Sequence, residues 1–151
     1  MIMKKDGRHV KYHFKVHKED KGFWAECLEL EGCITQGKNK EHLEEMMADA
    51  LAAYLDEPVN SKHIFPMPNP YFKGRGVVEV QVTPEIAVAM SIRQLRVSAG
   101  KSQKEMAHSL GMKSLFSYQR LESSKNGNLQ LGTMVKLKKA FPEFSVDAVL
   151  A

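Results

Sequence analysis

The sequence predicts an α+β protein, with a small strand-rich unit followed by an all-helical unit. Three observations lead to this prediction. Apolar and polar residues alternate in the first third of the chain, apolar residues recur at helical spacing from about residue 39, and only helical patterns follow Pro84. The 151 residues are enough for two small cores, and their composition, 43% hydrophobic and 26% charged, is typical of globular proteins.

The strands of the first unit are predicted from period-two patterns. Over residues 10–17 the apolar face consists of Val10, Tyr12, Phe14 and Val16, and the basic face consists of Lys11, His13, Lys15 and His17. A turn over 18–22 leads to a second strand at 23–30, and a short third strand is expected at 33–36. Three strands and one helix make a thin core, so we expect another subunit or a partner to cover one face or edge of the sheet.

A change of period marks the helix of the first unit. Asn39 is a suitable N-cap, acidic residues occupy the first turns, and the apolar positions follow helical spacing: Leu43, Met46, Met47, Ala50, Leu51, Tyr54 and Leu55. Prolines then indicate a connector over 56–76, and VVEVQV predicts a strand at 77–82. We therefore expect a first domain at 1–70, a connector with its strand at 71–84, and a helical domain at 85–151.

The second unit begins with a helix over about 85–99, for which Pro84 suits the first turn. Ser102 and Glu105 predict a capping box at the start of the next helix, and Gly111 permits the backbone conformation that ends it. Ser114 is expected to cap a third helix, packed down by Phe116, Leu121 and Tyr118. Helices over 133–141 and 146–150, the latter capped by Ser145, bring the predicted number to five.

The charge is unevenly distributed along the chain. Residues 1–90 contain 12 Lys or Arg and 14 Asp or Glu, a net charge of −2, whereas residues 91–151 contain 10 and 4, a net charge of +6. A basic helical unit favours a polyanionic partner, although a solvated basic face would explain the asymmetry as well. No apolar run is long enough to span a bilayer and no secretory signal is visible, so with only two cysteines we expect a cytoplasmic protein.

The segment SQKEMAHSLGMKSLFSYQRLE, residues 102–122, is the most informative motif of the helical unit. Its S-Q-x-E-x-A-x-x-L-G start and R-L-E end, within about 60 residues of helical pattern, resemble the lambda-repressor-like (XRE) DNA-binding domain. The resemblance implies an all-α five-helix fold with a recognition helix in the major groove. Gly111 to Glu122 spans eleven residues, one more than in many members, so contact positions are counted back from Glu122.

On that count the resemblance assigns DNA contacts to Gln103, Lys113, Ser114, Leu115, Phe116, Ser117, Gln119, Arg120, Ser124, Lys125 and Asn126. Arg120 suits a bidentate pair with guanine, and Gln103 suits a phosphate contact at a helix start. Leu115 and Phe116 cannot hydrogen-bond a base, so one would pack on a thymine methyl and the other into the core. Gln119 and Arg120 would otherwise be ordinary surface residues, and Glu122 is expected to pair with a basic neighbour.

The segment EGCITQGKNKEHLEEMMADALAAYLDE, residues 31–57, carries a second resemblance. It is similar to the P-G-C-x-T-x-G-x-T-x-x-E-A motif of HicB antitoxins, and the preceding GFWAECLELEGC follows the strand pattern of that family. Glu31 replaces the proline of the family and Asn39 its threonine. The resemblance covers about residues 10–57 and implies a partial RNase-H-like domain that binds a HicA toxin, a small mRNA-cleaving protein.

Together the two resemblances imply an antitoxin that binds a HicA-like toxin and represses its own operon by binding operator double-stranded DNA. An XRE-type repressor whose first domain binds a small ligand or only oligomerises is the alternative. Such domains read two half-sites, so a homodimer or a dimer of dimers is expected. The strand at 77–82 and the apolar helix after Pro84 offer surface for it.

Neither an enzyme nor a metal or cofactor site is expected. RNase-H chemistry needs several carboxylates around magnesium, and no cluster is evident among Glu26, Glu29, Glu41 and Asp49. His9, His13 and His17 would lie along one strand face, too far apart for one ion, as a solvated basic stripe. Cys27 and Cys33 are expected to be buried thiols, and they would pair only if the turn brought them close.

Overall fold

The computed structural model of the protein describes residues 10–126 and 129–144 and has an α+β fold, as the sequence predicts. Contacts within the chain divide it into two units. The sheet unit comprises Val10–Asp56 and Phe65–Val82, and the helical unit comprises Glu57–Ile64 and the chain from Thr83 onward. Among the helices of the described ranges, none is long and apolar enough to cross a membrane.

The sheet unit contains four antiparallel strands in the order β3-β2-β1-β4. Their bounds are Lys11–Glu19 for β1, Gly22–Cys27 for β2, Ile34–Gly37 for β3 and Val77–Gln81 for β4. The prediction placed β4 in a connector beside a three-stranded sheet, which is wrong, because β4 pairs with β1 over Lys11–Lys15. The edge strand that the sequence left without a partner is therefore paired within its own chain.

Helix α1, Lys40–Leu55, packs against β2 and β3 of the sheet. Asn39 caps it as predicted, because its side-chain oxygen accepts the His42 amide at 2.8 Å. The helix buries a stripe at every fourth position, formed by Leu43, Met47, Leu51 and Leu55. Gly37 is needed where α1 meets β3, since a Cβ at this position would lie 2.6 Å from the Leu43 backbone.

The helical unit follows the predicted order of elements. Its helices are α2 (Pro84–Ser98), α3 (Gln103–Ser109), α4 (Leu115–Gln119) and α5 (Leu131–Ala140), with 3-10 turns at Arg120–Glu122 and Ser124–Asn126. The predicted helix at 146–150 lies outside the described residues. The sequence offers the apolar residues of α2 for a dimer interface, but in the structure they are buried within one chain: Ile86, Val88, Ala89, Met90 and Ile92.

The domain boundaries differ from the expected division at residues 70 and 84. Glu57–Ile64 belongs to the helical unit rather than to the first domain, and Phe65–Val82 returns to the sheet unit. The reason is visible in hydrogen bonds: buried arginines of α2 donate to the carbonyls of Pro58 and Ser61. The chain therefore passes between the two units at 56/57, 64/65 and 82/83.

Candidate nucleic-acid interface

Local hydrogen bonds define a helix, a tight turn and a second helix over residues 102–119. The Ser102 side chain accepts the Glu105 amide at 3.1 Å, and the Glu105 carboxylate accepts the Ser102 amide at 3.2 Å, which is the predicted capping box. Hydrogen bonding from Ser102 to the carboxylate lowers the pKa of Glu105. Gly111 adopts a φ of +65° after α3, a conformation that favours glycine. Ser114 then caps α4 by accepting the Ser117 amide at 3.1 Å.

The inner side of α4 is anchored on a buried carboxylate. Glu122 is completely buried, and its two carboxylate oxygens accept hydrogen bonds from the Arg96 guanidinium at 2.7 and 3.1 Å. The Tyr118 hydroxyl, also fully buried, donates to the same carboxylate. The expected pairing of Glu122 with a basic neighbour is confirmed. It fixes the rotation of α4 about its axis and thereby decides which side chains face outward.

Arg96 and Arg93 both lie beside the Glu122 carboxylate, but only Arg96 donates hydrogen bonds to its oxygens. The hydrogen bond with Glu122 raises the pKa of Arg96, whereas burial lowers the pKa of Arg93, whose Nε lies 3.7 Å from Glu122. Arg93 also donates to the backbone carbonyls of Glu122 and Pro58. Residues 57–61 therefore supply acceptors for the same group of buried donors and complete the anchoring of α4.

Gln103 belongs to this inner network as well. Its amide nitrogen donates to the Val59 carbonyl at 2.6 Å, and its amide oxygen accepts from the Gln119 side chain at 3.1 Å. Both glutamines are half-buried. The sequence interpretation treated them as direct DNA contacts, whereas in this structure their amides join α3, α4 and the segment from residue 57 to one another.

The outer side of α4 carries the remaining predicted contacts. Lys113, Arg120 and Lys125 are exposed cations, while Ser114 and Ser117 are exposed hydroxyls that hydrogen-bond to each other at 2.8 Å. Ser124 is partly exposed in its 3-10 turn, and the side chain of Asn126 lies outside the described part of the chain. The structure thus brings residues 113–120 together on one helix and its flanking turns.

The predicted packing of Phe116 is wrong. Its side chain is 70% exposed and that of Leu115 is 44% exposed, whereas Tyr118 occupies the core position. The physical reason is helical periodicity, because Phe116 lies about 200° around the helix from Tyr118. Of the two other residues expected to hold this helix down, Tyr118 is confirmed as fully buried and Leu121 is half-buried.

The electrostatics of this surface favour an anion. From residue 106 to residue 142 the chain contains one acidic residue, Glu122, and that residue is buried against Arg96. The same stretch contains six Lys or Arg residues: Lys113, Arg120, Lys125, Lys136, Lys138 and Lys139. The three of these that flank α4, Lys113, Arg120 and Lys125, are exposed and favour a phosphate backbone, while the exposed acid that precedes this stretch, Glu105, is engaged in the capping box of α3.

A second buried carboxylate, Glu29 in the sheet unit, was not predicted as a structural group. Its side chain is 2% exposed. Its carboxylate accepts hydrogen bonds from the His13 Nδ1 at 2.7 Å, from the His13 amide at 2.9 Å and from the Asn69 amide at 2.9 Å. His13 is therefore not part of a solvated stripe, because it is buried and its ring meets that of Phe72 edge-on. His17 is partly exposed and stacks on Trp24, and His9 lies outside the described residues.

The remaining candidate groups are also placed by the structure. Cys27 and Cys33 are free, buried thiols, as predicted, and the Cys27 amide donates to the Cys33 carbonyl at 2.8 Å. The Cys27 thiol donates to the Glu29 carboxylate at 3.8 Å, and the neighbouring Cys33 thiol together with burial raises the pKa of Cys27. Within residues 10–126 and 129–144 no group of three or more His, Cys, Asp or Glu side chains could hold a metal ion.

In comparisons with known proteins, no protein-family model matches this chain, and no curated protein matches it.

Proposed function

We propose that the helical unit binds double-stranded DNA in a sequence-specific manner through the outer side of α4. The observation that carries this proposal is the orientation of α4, whose inner side is held by Glu122, Arg96 and Tyr118 while Arg120 remains exposed. A helix anchored in this way presents a fixed set of side chains to the major groove. The lambda-repressor-like arrangement of five helices is part of the same proposal.

Binding to DNA is tested first with duplexes selected from a random library. Arg120→Ala should weaken binding to the selected duplex by about 1–3 kcal/mol and relax selection at one base position, because a bidentate contact to guanine is lost. Arg75→Ala, an exposed arginine of the sheet unit, is the matched control and should bind as the wild type does. Wild-type affinity in Arg120→Ala would show that the contact positions have been counted incorrectly.

The variant Gln103→Ala distinguishes a positioning role of this side chain from a direct contact with a DNA phosphate. Gln103→Ala should weaken binding to all duplexes about equally under either role. A pure phosphate contact would also reduce the slope of log K against log salt by about one and leave thermal stability unchanged. A positioning role, which the bonds to Val59 and Gln119 favour, would lower thermal stability and leave the slope unchanged.

For the sheet unit we propose the binding of a HicA-like mRNA-cleaving toxin, so that the whole chain acts as an antitoxin and autorepressor. The support is the resemblance of residues 31–57 together with the physical reasons that the structure gives for two of its positions. Gly37 has no room for a Cβ beside α1, and Asn39 supplies the cap that threonine would supply in the family. A partial RNase-H-like fold belongs to this proposal.

Co-expression tests the antitoxin function against the alternative of a plain repressor. An antitoxin gene should have a short reading frame beside it; that frame is expressed alone and together with this chain, and the integrity of cellular mRNA is followed. An antitoxin should abolish mRNA cleavage and co-purify with the neighbouring product at a fixed stoichiometry. A neighbouring product without RNase activity, or one that this chain does not inhibit, would favour a repressor whose first unit binds a small ligand or oligomerises.

A homodimer, or a dimer of dimers, remains part of the proposal on one ground only. Two half-sites read by two copies neutralise more phosphates than one module does, and a single module would bind weakly at physiological salt. The two surfaces first considered for the interface are used within the chain, namely β4 by its pairing with β1 and the apolar residues of α2 by burial. Light scattering with and without duplex determines the number of copies bound.

A further inference from the structure

The start of α4 exposes two large apolar side chains where the fold does not require them. Phe116 is 70% exposed and Leu115 44% exposed, although Tyr118 and Glu122 already provide the inward anchoring of this helix. Exposed apolar side chains are common singly, but two consecutive ones on a candidate DNA-binding helix call for a partner with an apolar feature.

The neighbouring polar side chains are already engaged within the protein. Ser114 accepts the Ser117 amide, and the two serine hydroxyls hydrogen-bond to each other. Gln119 donates to Gln103. Among the predicted base-reading positions on α4 and its flanks, the side chains of Arg120, Leu115 and Phe116 are therefore exposed to solvent.

The charge around the pair selects the class of partner. Lys113 directly precedes the cap of α4, Arg120 follows the helix, and the only carboxylate between residues 106 and 142 is the buried Glu122. An apolar protein surface would gain little from these cations, whereas DNA offers phosphates beside apolar groups. In the major groove the apolar group that distinguishes one base from the others is the 5-methyl of thymine.

We propose that Phe116, assisted by Leu115, reads thymine 5-methyl groups in the operator, so that specificity combines methyl contacts with the Arg120 contact. This inference rests on the proposed function of the helical unit. It also changes the division of roles expected from the sequence, because both apolar side chains are exposed and neither is buried in the core.

Replacement of thymine by uracil tests the inference, since it removes one methyl group and leaves every hydrogen-bonding group of the base in place. A duplex selected from a random library is resynthesised with deoxyuridine at each thymine in turn, and its affinity for the full chain is measured. At one or more positions we expect a loss of about fourfold, which corresponds to the burial of one methyl group. Uracil outside the footprint should have no effect.

The variant Phe116→Ala supplies the second half of a double-mutant cycle. It should bind the thymine duplex more weakly than the wild type and become indifferent to uracil at the sensitive positions. Its melting temperature should match that of the wild type because the side chain is exposed, and Leu115→Ala provides a second, milder variant. Ile34→Ala removes an apolar side chain of similar exposure, 57%, from the sheet unit and should retain full uracil sensitivity.

The outcomes separate this inference from the function on which it rests. If a duplex is selected and bound tightly but no uracil substitution matters, DNA binding stands and the methyl contact is overturned. If no duplex is selected, both fall. If Phe116→Ala reduces self-association in sedimentation experiments and keeps the wild-type sensitivity to uracil, the apolar pair is a contact between copies of this chain, which also overturns the inference.

Discussion

The sheet unit and the helical unit each contain a carboxylate withdrawn from solvent, but the two are held by different kinds of partner. Glu122 is surrounded by side chains of the helical unit, with Arg96 and Tyr118 in direct contact. Glu29 is bound by His13 and by two backbone amides, one of which belongs to the distant residue Asn69. Glu122 therefore orients a helix through charge, whereas Glu29 fastens a loop segment onto a sheet.

The two carboxylates differ in what their removal would leave behind in the protein. Arginine stays charged at any pH relevant to the protein, so removal of Glu122 would leave a buried positive charge. Removal of Glu29 would instead leave hydrogen-bond donors unsatisfied, namely the His13 ring and the backbone amides of His13 and Asn69. Two signals follow the two units: Trp24, the sole tryptophan of the sequence, reports on the sheet unit, and circular dichroism at 222 nm reports on all helices, of which α2 to α5 belong to the helical unit and α1 to the sheet unit.

Truncation of the sheet unit should have the largest effect. A fragment of residues 1–70 keeps Glu29 with its direct partners His13 and Asn69 but loses β4, which pairs with β1 along Lys11–Lys15. We expect a fragment of residues 1–82 to show a cooperative Trp24 transition in urea and the 1–70 fragment to show none. A folded 1–70 fragment would mean that the Glu29 network, rather than the fourth strand, is sufficient to hold the sheet.

Glu122→Ala is the next largest expected change. It leaves Arg96 buried without its partner, and loss of one member of a buried ion pair costs about 3–5 kcal/mol. In urea the transition seen by circular dichroism should shift further than the Trp24 transition. Glu143→Gln, at an exposed acid of the same unit, is the control and should behave as the wild type does. Equal shifts of both signals would show that the two units unfold as one cooperative body.

The two carboxylates also show what the sequence reveals and what it does not. The capping box depends on spacing within a few residues, so the start of α3 at Gln103 was predictable. The R-L-E motif predicted a basic neighbour for Glu122, but not that this neighbour is Arg96, 26 residues away along the chain. The position of β4 and the contact of Asn69 with Glu29 both depend on how the proline-rich segment folds back onto the sheet. Spacing along the chain does not determine such long-range pairing. Phe116 could have been predicted correctly, because its angular distance from Tyr118 follows from the helical period.

Glu29→Ala should have a smaller effect than Glu122→Ala. It leaves the His13 ring, the His13 amide and the Asn69 amide without this acceptor, but all three hydrogen bonds are only partly buried, so water can replace the carboxylate and we expect a cost of about 1–3 kcal/mol. The loss should appear in the Trp24 transition, and in circular dichroism only through the part of the signal that α1 contributes. Glu31→Gln, two residues away and exposed, is the matched control. If Glu29→Ala shifted the midpoint as far as Glu122→Ala does, the distinction between a carboxylate held by a buried guanidinium and one held largely by backbone amides would be wrong.

The smallest effect near neutral pH concerns the tyrosines beside the two carboxylates. Burial first, and then nearby negative groups, raise the pKa of Tyr12 in the sheet unit and of Tyr118 in the helical unit. A tyrosine whose folded pKa is raised contributes stability that is fully present below its ordinary pKa of about 10 and is lost as the pH rises further. The free energy of unfolding of both units should therefore fall above about pH 10.

Phenylalanine variants assign that loss to one unit or the other. Tyr118→Phe should flatten the alkaline decline followed by circular dichroism, and Tyr12→Phe should flatten the decline followed by Trp24 fluorescence. Each will also lose a hydrogen bond at neutral pH, to Glu122 and to the Pro66 carbonyl respectively, so the slope against pH rather than the absolute stability is compared. Tyr71→Phe, at a tyrosine that is 77% exposed, should keep the wild-type slope. An unchanged slope in both buried variants would show that other groups cause the alkaline loss.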